Sequence, residues 1–225
     1  MKIQVIIVAA GIGKRFNSDT PKTLLPLDGR LIFLRSCDVF EKLSVVDSII
    51  LVVHEDYVQE YSDAVKNSGL KKIKKVVVGG SKRTDSVLNG LQALDIDTDV
   101  VAIHDGARPL FDEHIAARAF DMIKNVDALV VAVRVKPTIK EVDLQTLKVK
   151  RTLDRNLLWD IQTPQIFKKD LILKAYEQDT FDATDDASMV EKMGKEVVIC
   201  EGDYRNIKIT TPEDMIVAEA FIKGM

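Results

Sequence analysis

The sequence lacks a long hydrophobic run, and it lacks a strong excess of charge of either sign. No apolar stretch reaches the roughly 18–20 residues of a membrane-spanning helix, and the first residues do not have the pattern of a secretory signal peptide. The chain has 32 basic and 35 acidic residues, with a formal net charge of −3 and no lysine-rich tract. These features argue against a membrane protein and against nonspecific binding to nucleic acid or anionic membranes as the main activity.

Cysteine and histidine are also scarce. The two cysteines, Cys37 and Cys200, have no CxxC spacing, so we expect reduced thiols packed in the core of a cytoplasmic protein. The three histidines form no recognisable catalytic triad or metal cluster. With 225 residues, of which 46% are hydrophobic, the chain can bury a full core, and we expect a single domain over residues 1–225.

Strand-like and helix-like segments alternate along the chain. The strand-like runs are rich in Val and Ile and mostly apolar throughout, which is typical of parallel strands covered on both faces. They are IQVIIVAA (3–10), SIILVVHE (48–55), KKVVVGG (74–80), VVAIHDGA (100–107) and ALVVAVRV (128–135). Amphipathic segments at 30–43, 57–69, 82–94 and 112–125 separate them and predict helices. This order predicts an α/β protein with three layers and a mostly parallel central sheet.

Two more helices are predicted near the C-terminal end. One covers residues 185–194, and we interpret Asp185 and Asp186 as capping residues at its start rather than as metal ligands. The other covers residues 212–224, with Thr211 as its N-cap and Pro212 as its first helical residue.

Residues 136–155 do not fit the α/β series. They read as two short alternating strands around the polar turn DLQT, with too few apolar residues to build a core. Because an isolated hairpin is marginal in water, we expect this protruding β-arm to pack against something else, and we predict that it serves dimerisation.

The segment AAGIGKRFNSDTPK (9–22) follows the first strand and is compatible with three kinds of ligand site. A dinucleotide site requires G-x-G-x-x-G/A and an acidic residue about 20 positions further on. Here the third glycine position is Phe16, and the acidic residue at the next strand end, Glu55, is much too far along the chain. A P-loop signature is absent. The remaining possibility is a loop whose backbone N–H groups face a triphosphate while Arg15 and Lys22 neutralise its charge.

Two later strands end in loops of similar character. GGSKRTDS follows the third predicted strand and supplies Gly79, Arg83 and the hydroxyl of Ser86, while HDGARP follows the fourth and places Asp105 beside Arg108. Ligands of open α/β sheets bind beyond the carboxyl ends of the strands. Three glycine-bearing, charged loops at one edge therefore predict a binding site for a phosphorylated ligand.

The ordered motifs of the chain resemble those of the methylerythritol phosphate cytidylyltransferases, a family within the glycosyltransferase-A-like nucleotidyltransferases. The motifs are AAGIGKRF…PK, GGSKRTDSVLNGL, HDGARP, TLDRNLLWDIQTPQ, TDDASMVEKMG and NIKITTPEDMIVAE, and the resemblance extends from about residue 3 to 222. It implies a Rossmann-like nucleotidyltransferase fold, CTP and a polyol phosphate as substrates, and Mg²⁺ or another divalent cation as cofactor, while the homodimer is predicted from the arm alone. No nucleic-acid or membrane partner is implied.

The implied reaction is the attack of a polyol phosphate oxygen on the α-phosphorus of CTP, which releases pyrophosphate. Since the second pKa of a phosphate monoester is about 6, the nucleophile is already ionised at neutral pH and needs no general base. The reaction instead needs two polyanions to be brought together and charge to be stabilised at the reacting phosphorus.

The resemblance also implies roles for individual residues. The implied catalytic residues are Arg15, Lys22, Lys208, Thr138 and Arg155. The implied CTP-binding residues are Ala9, Ala10, Gly11, Gly13, Arg15, Lys22, Gly80, Ser81, Ser86, Asp105, Ala107 and Lys208. Those implied for the acceptor are Asp105, Arg108, Thr138, Arg155 and Thr163. Asp105 is also the candidate metal ligand, although we expect the triphosphate to hold Mg²⁺ chiefly.

Two positions depart from the usual family pattern, and alternatives to the implied function remain open. Pro137 precedes Thr138 where the family commonly has Asp, and Thr23 follows Lys22 where the family commonly has Gln. One alternative is the same chemistry on ribitol phosphate. The alternative of another class is a nonenzymatic nucleotide-sensing protein, which we expect to have lost Lys22 or Lys208.

Overall fold

The central feature of the structure is a twisted sheet with helices on both faces. The structure is a computed structural model that describes residues 1–12, 16, 20–178 and 183–224. In chain order the described strands are β1 (Ile3–Val8), β2 (Pro26–Leu27), β3 (Arg30–Leu31), β4 (Ser48–Val53), β5 (Ile73–Val78), β6 (Val100–Asp105), β7 (Ala128–Arg134), β8 (Lys140–Val142), β9 (Val149–Thr152), β10 (Trp159–Lys168) and β11 (Val198–Glu201). The helices are α1 (Ile32–Lys42), α2 (Val58–Ser68), α3 (Arg83–Gln92), α4 (Glu113–Met122), α5 (Lys169–Tyr176), α6 (Asp186–Lys192) and α7 (Pro212–Lys223).

The main sheet has the order β11-β7-β10-β6-β1-β4-β5. Strand β1 pairs in parallel with β4 and β6, β4 pairs in parallel with β5, and β7 pairs in parallel with β11. Strand β10 is antiparallel to both of its neighbours, β6 and β7. The predicted α/β fold with a mostly parallel central sheet is therefore confirmed.

Side chains of the same strands point alternately into two apolar cores, which makes the fold three-layered. On one face, Val5 and Leu51 pack in a core with α1, α2 and α4. On the other face, Ile6 and Val52 pack in a core with α3, α5 and α6. Strands covered on both faces need apolar residues at successive positions, which explains the near-continuous Val and Ile runs of the sequence. No helix in the described ranges is both long and apolar enough to cross a bilayer.

Strand β10 was not predicted, although it lies in the middle of the sheet. Its sequence, WDIQTPQIFK, contains Pro164 and three buried polar residues, Gln162, Thr163 and Gln165. Proline inside an apparent strand argues against a central position unless it lies at a bulge. The pairing with β7 does shift register between Ile161 and Gln165, and this irregularity accommodates the proline. Helix α5 and edge strand β11 were missed as well.

The helix starts near the C-terminal end are mostly as predicted. Asp185 caps α6 by accepting a hydrogen bond from the backbone N–H of Ser188 at 3.0 Å. Thr211 is the N-cap of α7 and Pro212 its first residue, and Asp214 completes a capping box. The prediction that Asp186 is also a cap is wrong, because its carboxylate is turned inward and accepts hydrogen bonds from Arg83.

Strands β8 and β9 form the predicted hairpin in residues 136–155, in a separate two-stranded sheet. Its apolar side chains are exposed: Leu144 at 86%, Leu147 at 76% and Val149 at 58%. At the base of the hairpin, the Lys136 ammonium lies 3.3 Å from the ring centroid of Tyr204. The arm thus projects from the domain with these three apolar side chains uncovered.

Candidate active site

A cleft of about 750 Å³ lies beyond the carboxyl ends of β1, β4, β5 and β6. Its lining comes from the loops that follow these strands and from the segment before α7. The lining residues are Val8, Ala9, Ala10, Gly11, Ile12, Lys22, Thr23, His54, Glu55, Gly79, Gly80, Ser81, Lys82, Arg83, Ser86, Asp105, Ala107, Lys208 and Thr210. The cleft is therefore at the sheet edge where the glycine-bearing loops were expected to meet.

Two glycines allow the walls of the cleft to approach each other closely. A Cβ atom at Gly79 would lie 2.5 Å from the Cβ of Ala10 and 2.7 Å from the Oγ of Ser86. A Cβ atom at Gly106 would lie 3.1 Å from both the Cβ of Ala9 and the carbonyl oxygen of Val8. A side chain at Gly79 would force the first loop or Ser86 to shift, and a side chain at Gly106 would crowd the first loop, so both glycines allow close approach here.

The first loop is held from below by a buried hydroxyl pair. The hydroxyls of Thr23 and Tyr61 lie 2.5 Å apart, and the Tyr61 hydroxyl donates to the carbonyl oxygen of Ala9 at 3.2 Å. Tyr61 is fully buried, and burial raises the pKa of its hydroxyl. Thr23, a departure from the usual family pattern, therefore has a definite use, since it helps to orient the loop that lines the cleft.

One carboxylate at the floor of the cleft, that of Asp105, faces three cations. Its Oδ2 lies 2.7 Å from the Nζ of Lys208 and 3.7 Å from the Nε of Arg108, and its Oδ1 lies 3.2 Å from the Nε of Arg83. Burial alone would raise the pKa of Asp105, but the positive charges of Arg83, Lys208 and Arg108 outweigh it and hold that pKa well below its ordinary value. The floor therefore carries an excess of positive charge, which suits a polyanionic ligand.

The loop HDGARP is fixed from behind by β10. The hydroxyl of Thr163 accepts a hydrogen bond from the backbone N–H of Asp105 at 3.0 Å and lies 3.1 Å from the Nδ1 of His104. The other ring nitrogen of His104 lies 3.1 Å from the carbonyl oxygen of Arg108. Thr163 is only 4% exposed. In this structure its hydroxyl therefore supports the loop from beneath, and its contact with the acceptor stays a prediction.

Lys208 reaches the cleft from a segment that is bound to the same loop. The backbone N–H of Ile209 donates to the carbonyl oxygen of Ala107 at 2.8 Å, and the carbonyl oxygen of Asn206 accepts from the Nη1 of Arg108 at 2.7 Å. Asn206 is fully buried, and its amide donates to the carbonyl oxygen of Thr163 at 3.0 Å. The position of Lys208 is thus set by contacts on both sides of it.

Most of the residues predicted to bind CTP line this one cleft. They are Ala9, Ala10, Gly11, Lys22, Gly80, Ser81, Ser86, Asp105, Ala107 and Lys208. Gly13 and Arg15 lie outside the described residues. Arg108 is beneath the floor, in contact with Asp105, rather than on the surface of the cleft.

Two residues predicted to be catalytic, Thr138 and Arg155, are on the arm and do not line the cleft of their own chain. Both are exposed, and the Nη1 of Arg155 donates to the carbonyl oxygen of Lys136 at 2.9 Å. Their predicted roles therefore depend on what the arm contacts.

The sequence interpretation missed the role of Asp186 and its partner. Arg83 donates two parallel hydrogen bonds to Asp186, from Nη1 at 3.0 Å and from Nη2 at 2.9 Å. Tyr176 donates a further bond to Asp186 at 2.6 Å. The two charged residues are 103 positions apart in the chain, so no local pattern could have shown the pairing.

The described part of the chain contains no group of three or more His, Cys, Asp or Glu side chains arranged to hold a metal ion. Asp105 is the carboxylate on the floor of the cleft, and both of its oxygens face cationic side chains. Any divalent cation here would therefore have to be held mainly by phosphate and water oxygens, as Mg²⁺ commonly is.

Cleft and sheet together place the chain among the α/β nucleotidyltransferases, which bind a nucleoside triphosphate at this edge of the sheet. A crystal structure of 4-diphosphocytidyl-2C-methyl-D-erythritol synthase from Anaerococcus prevotii superimposes with a TM-score of 0.87 at 32% identity, covering 99% of this chain and 98% of that chain. A crystal structure of 2-C-methyl-D-erythritol 4-phosphate cytidylyltransferase from Francisella tularensis superimposes with a TM-score of 0.78 at 30% identity. The match covers 98% of this chain and 99% of that chain.

The chain belongs to the 2-C-methyl-D-erythritol 4-phosphate cytidylyltransferase family, whose model matches residues 3–224. Among proteins of that name, one from Alkaliphilus oremlandii is 44% identical over 226 residues, covering 99% of this chain and 95% of the relative. One from Alkaliphilus metalliredigens is 42% identical over 227 residues, which cover 98% of this chain and 93% of the relative. The resemblance inferred from the motifs is confirmed, and the chain is a cytidylyltransferase.

Proposed function

We propose that this chain transfers CMP from CTP to 2-C-methyl-D-erythritol 4-phosphate and releases pyrophosphate, a step of non-mevalonate isoprenoid biosynthesis. The observation that carries the proposal is the cluster of Lys208, Arg83 and Arg108 around Asp105 at the floor of the cleft. In a member of this family, such a cluster supplies what phosphoryl transfer requires of a protein, namely positioning and stabilisation of negative charge.

In the proposed reaction, a phosphate oxygen of the acceptor attacks the α-phosphorus of CTP. A bond forms between that oxygen and the phosphorus, while the bond from the phosphorus to the bridging oxygen of the β-phosphate breaks, and pyrophosphate leaves with the electron pair. Lys22 and Lys208 line the cleft, and we assign both to the phosphates, close to the reacting α-phosphorus. Arg15 is assigned to the same phosphates by the family resemblance alone.

The cofactor of the proposed reaction is Mg²⁺ or another divalent cation, which offsets phosphate charge when it is bound. Asp105 is the residue that would contribute a carboxylate oxygen to it. Lys208 neutralises that carboxylate in the free protein, at a separation of 2.7 Å. Movement of the Lys208 ammonium toward the phosphates would leave Asp105 with Arg83 and Arg108 as its charge partners.

We also propose a homodimer in which the arm of each chain completes the acceptor site of its partner. On the arm, Leu144, Leu147 and Val149 expose 58–86% of their surface, and a second chain would cover these neighbouring apolar side chains. Thr138 and Arg155 lie on the same arm but not in the cleft of their own chain. A two-fold interface would bring both residues to the partner's acceptor.

We place the protein in the cytoplasm, where CTP is made. The buried, free thiols of Cys37 and Cys200 are compatible with a reducing compartment.

The test of the function is pyrophosphate release with Mg²⁺ and a panel of triphosphates and acceptors. We expect release only with CTP and a polyol phosphate, and fastest with 2-C-methyl-D-erythritol 4-phosphate. A preference for ribitol 5-phosphate would replace the proposed acceptor and keep the chemistry. Binding of CTP without turnover of any acceptor would favour a nonenzymatic sensor, and equal turnover of UTP with a hexose 1-phosphate would refute the proposal.

The composite site is tested with two inactive variants, Lys22→Ala and Arg155→Ala, unfolded together and refolded in equal amounts. In a mixed dimer with sites completed in trans, one site carries both changes and the other carries neither. Random pairing makes half of the dimers mixed, so roughly a quarter of the wild-type activity is expected to return. Each variant refolded alone is the control. If Arg155 serves its own chain, every site keeps one change and no activity returns.

A further inference from the structure

Arg83, which lines the cleft, pairs with a buried carboxylate behind it. Asp186, at the start of α6, has no exposed surface and does not line the cleft. Both of its oxygens accept from the guanidinium of Arg83, and one of them also accepts from the Tyr176 hydroxyl. The third hydrogen-bonding nitrogen of Arg83, Nε, reaches Asp105 at 3.2 Å. One arginine therefore bridges a buried carboxylate and the carboxylate on the floor of the cleft.

The ion pair between Arg83 and Asp186 is not explained by a contribution to stability alone. Taking a carboxylate out of water is unfavourable, and apolar residues of similar volume generally stabilise a protein as well as a buried ion pair does. What the pair does provide is orientation, because two parallel hydrogen bonds fix the plane of a guanidinium. Burial lowers the pKa of Arg83, but the charges of Asp186 and Asp105 outweigh it and hold that pKa above its ordinary value.

Arg83 differs from the other cations around Asp105 in having a second carboxylate partner. The Lys208 side chain is 38% exposed and lines the cleft, so its ammonium can turn toward a phosphate there. Arg108 is held by the carbonyl oxygen of Asn206 and is 3.7 Å from Asp105, beyond hydrogen-bond reach. When Lys208 leaves Asp105, Arg83 is the cation among the described residues that stays hydrogen-bonded to this carboxylate.

We propose that Asp186 and Tyr176 are positioning residues, which hold Arg83 so that the Asp105 carboxylate stays oriented when Lys208 moves to the α-phosphate of CTP. The inference rests on the proposed function. Without the fixed Arg83, Asp105 would retain Lys208 more strongly, and the lysine would be less available to the reacting phosphorus. The effect should therefore appear in kcat and should act through Lys208.

The test compares Asp186→Asn with a matched control, Asp38→Asn. Asp38 also accepts two hydrogen bonds from one arginine, Arg30, but does not line the cleft. We expect Asp186→Asn to lower kcat for pyrophosphate release about 10-fold, less than the ~10²-fold that a 1 Å misplacement of reacting groups can cause. KM for CTP should change less than kcat. Asp38→Asn should keep the wild-type kcat.

A double-mutant cycle distinguishes positioning from general damage to the fold. In a Lys208→Ala background, Asp186→Asn should lower kcat no further, because the lysine through which it acts is absent. A structural defect would lower kcat by the same factor in both backgrounds, and that result would overturn the inference.

If Asp186→Asn does not fold, the same measurements are made with Tyr176→Phe. It removes only the hydroxyl that orients Asp186. We expect a smaller loss of kcat that also disappears in the Lys208→Ala background, and a loss that persists there would refute the proposal. A wild type that releases no pyrophosphate from CTP would overturn the proposed function and this inference together. A wild-type protein that turns over, with Asp186→Asn indistinguishable from Asp38→Asn, would overturn the inference alone.

Discussion

Replacing Lys208 with alanine is expected to lower kcat about 10²–10³-fold, the usual effect of removing one preorganised charge stabiliser from an active site. The lysine ammonium forms an ion pair with Asp105 at 2.7 Å, and the backbone hydrogen bond from Ile209 to Ala107 fixes the adjacent main chain. Its ammonium therefore needs only a local rotation to reach a phosphate in the cleft. Steady-state pyrophosphate release with CTP and the acceptor at saturation measures the effect.

The control for this substitution is Lys124→Ala. Lys124 also pairs with an aspartate, Asp121, at 2.7 Å, but on the surface. It should retain the wild-type kcat, and both variants should unfold near the wild-type midpoint, because Lys208 is more than a third exposed. A near-wild-type kcat for Lys208→Ala would mean that another cation stabilises the reacting phosphorus.

The second large effect concerns the stability of the protein below neutral pH. Burial lowers the pKa of His104 to about 4, whereas an unfolded chain has a histidine pKa of ~6.5. Between these values the unfolded state binds a proton that the folded state does not, so stability falls as the pH drops below ~6.5. From pH 7.5 to pH 5.0, we expect the free energy of unfolding to decrease by about 2 kcal/mol through this one group. Urea unfolding at both pH values measures it.

Two variants serve to assign the pH dependence to His104. His104→Asn should be less stable at pH 7.5, because the ring packs against Phe40 and Phe111, but it should lose most of the difference between pH 7.5 and pH 5.0. His114→Gln changes an exposed residue on α4 and should keep that difference. Aspartates with lowered pKa values, such as Asp105, titrate below this window and do not contribute to it. An unchanged pH dependence in His104→Asn would show that another group is responsible.

The sequence was sufficient to predict the parallel half of the sheet. The strands around β1 are mostly apolar runs, and β1, β5 and β6 are each followed by a glycine-bearing loop, so pattern and topology point to the same edge. The cleft residues contributed by these loops were predicted for that reason. Local patterns were also enough for the cap of α7, where Thr211 and Pro212 are adjacent to the helix that they start.

What the sequence did not reveal depends on contacts between distant segments. Strand β10 contains proline and buried glutamines, and it is compatible with the middle of a sheet only because Gln165 and Gln162 find partners in α6 and in the segment near Asn206. The pairing of Arg83 with Asp186 likewise joins two helices from opposite halves of the chain. Neither arrangement leaves a periodic signal, since each is defined by the complete fold.

The position of β10 has a consequence for how the chain is made. Strand β7 pairs only with β10 and β11 in the described sheet, and both of these are translated after it. A ribosome therefore releases the apolar segment ALVVAVR before either of its neighbours exists. The first half of the sheet can assemble early, but β7 cannot pair fully with β10 until residue 168 has left the ribosome. Unpaired apolar strands promote aggregation, so β7 is exposed to aggregation during the interval between its own synthesis and that of β10.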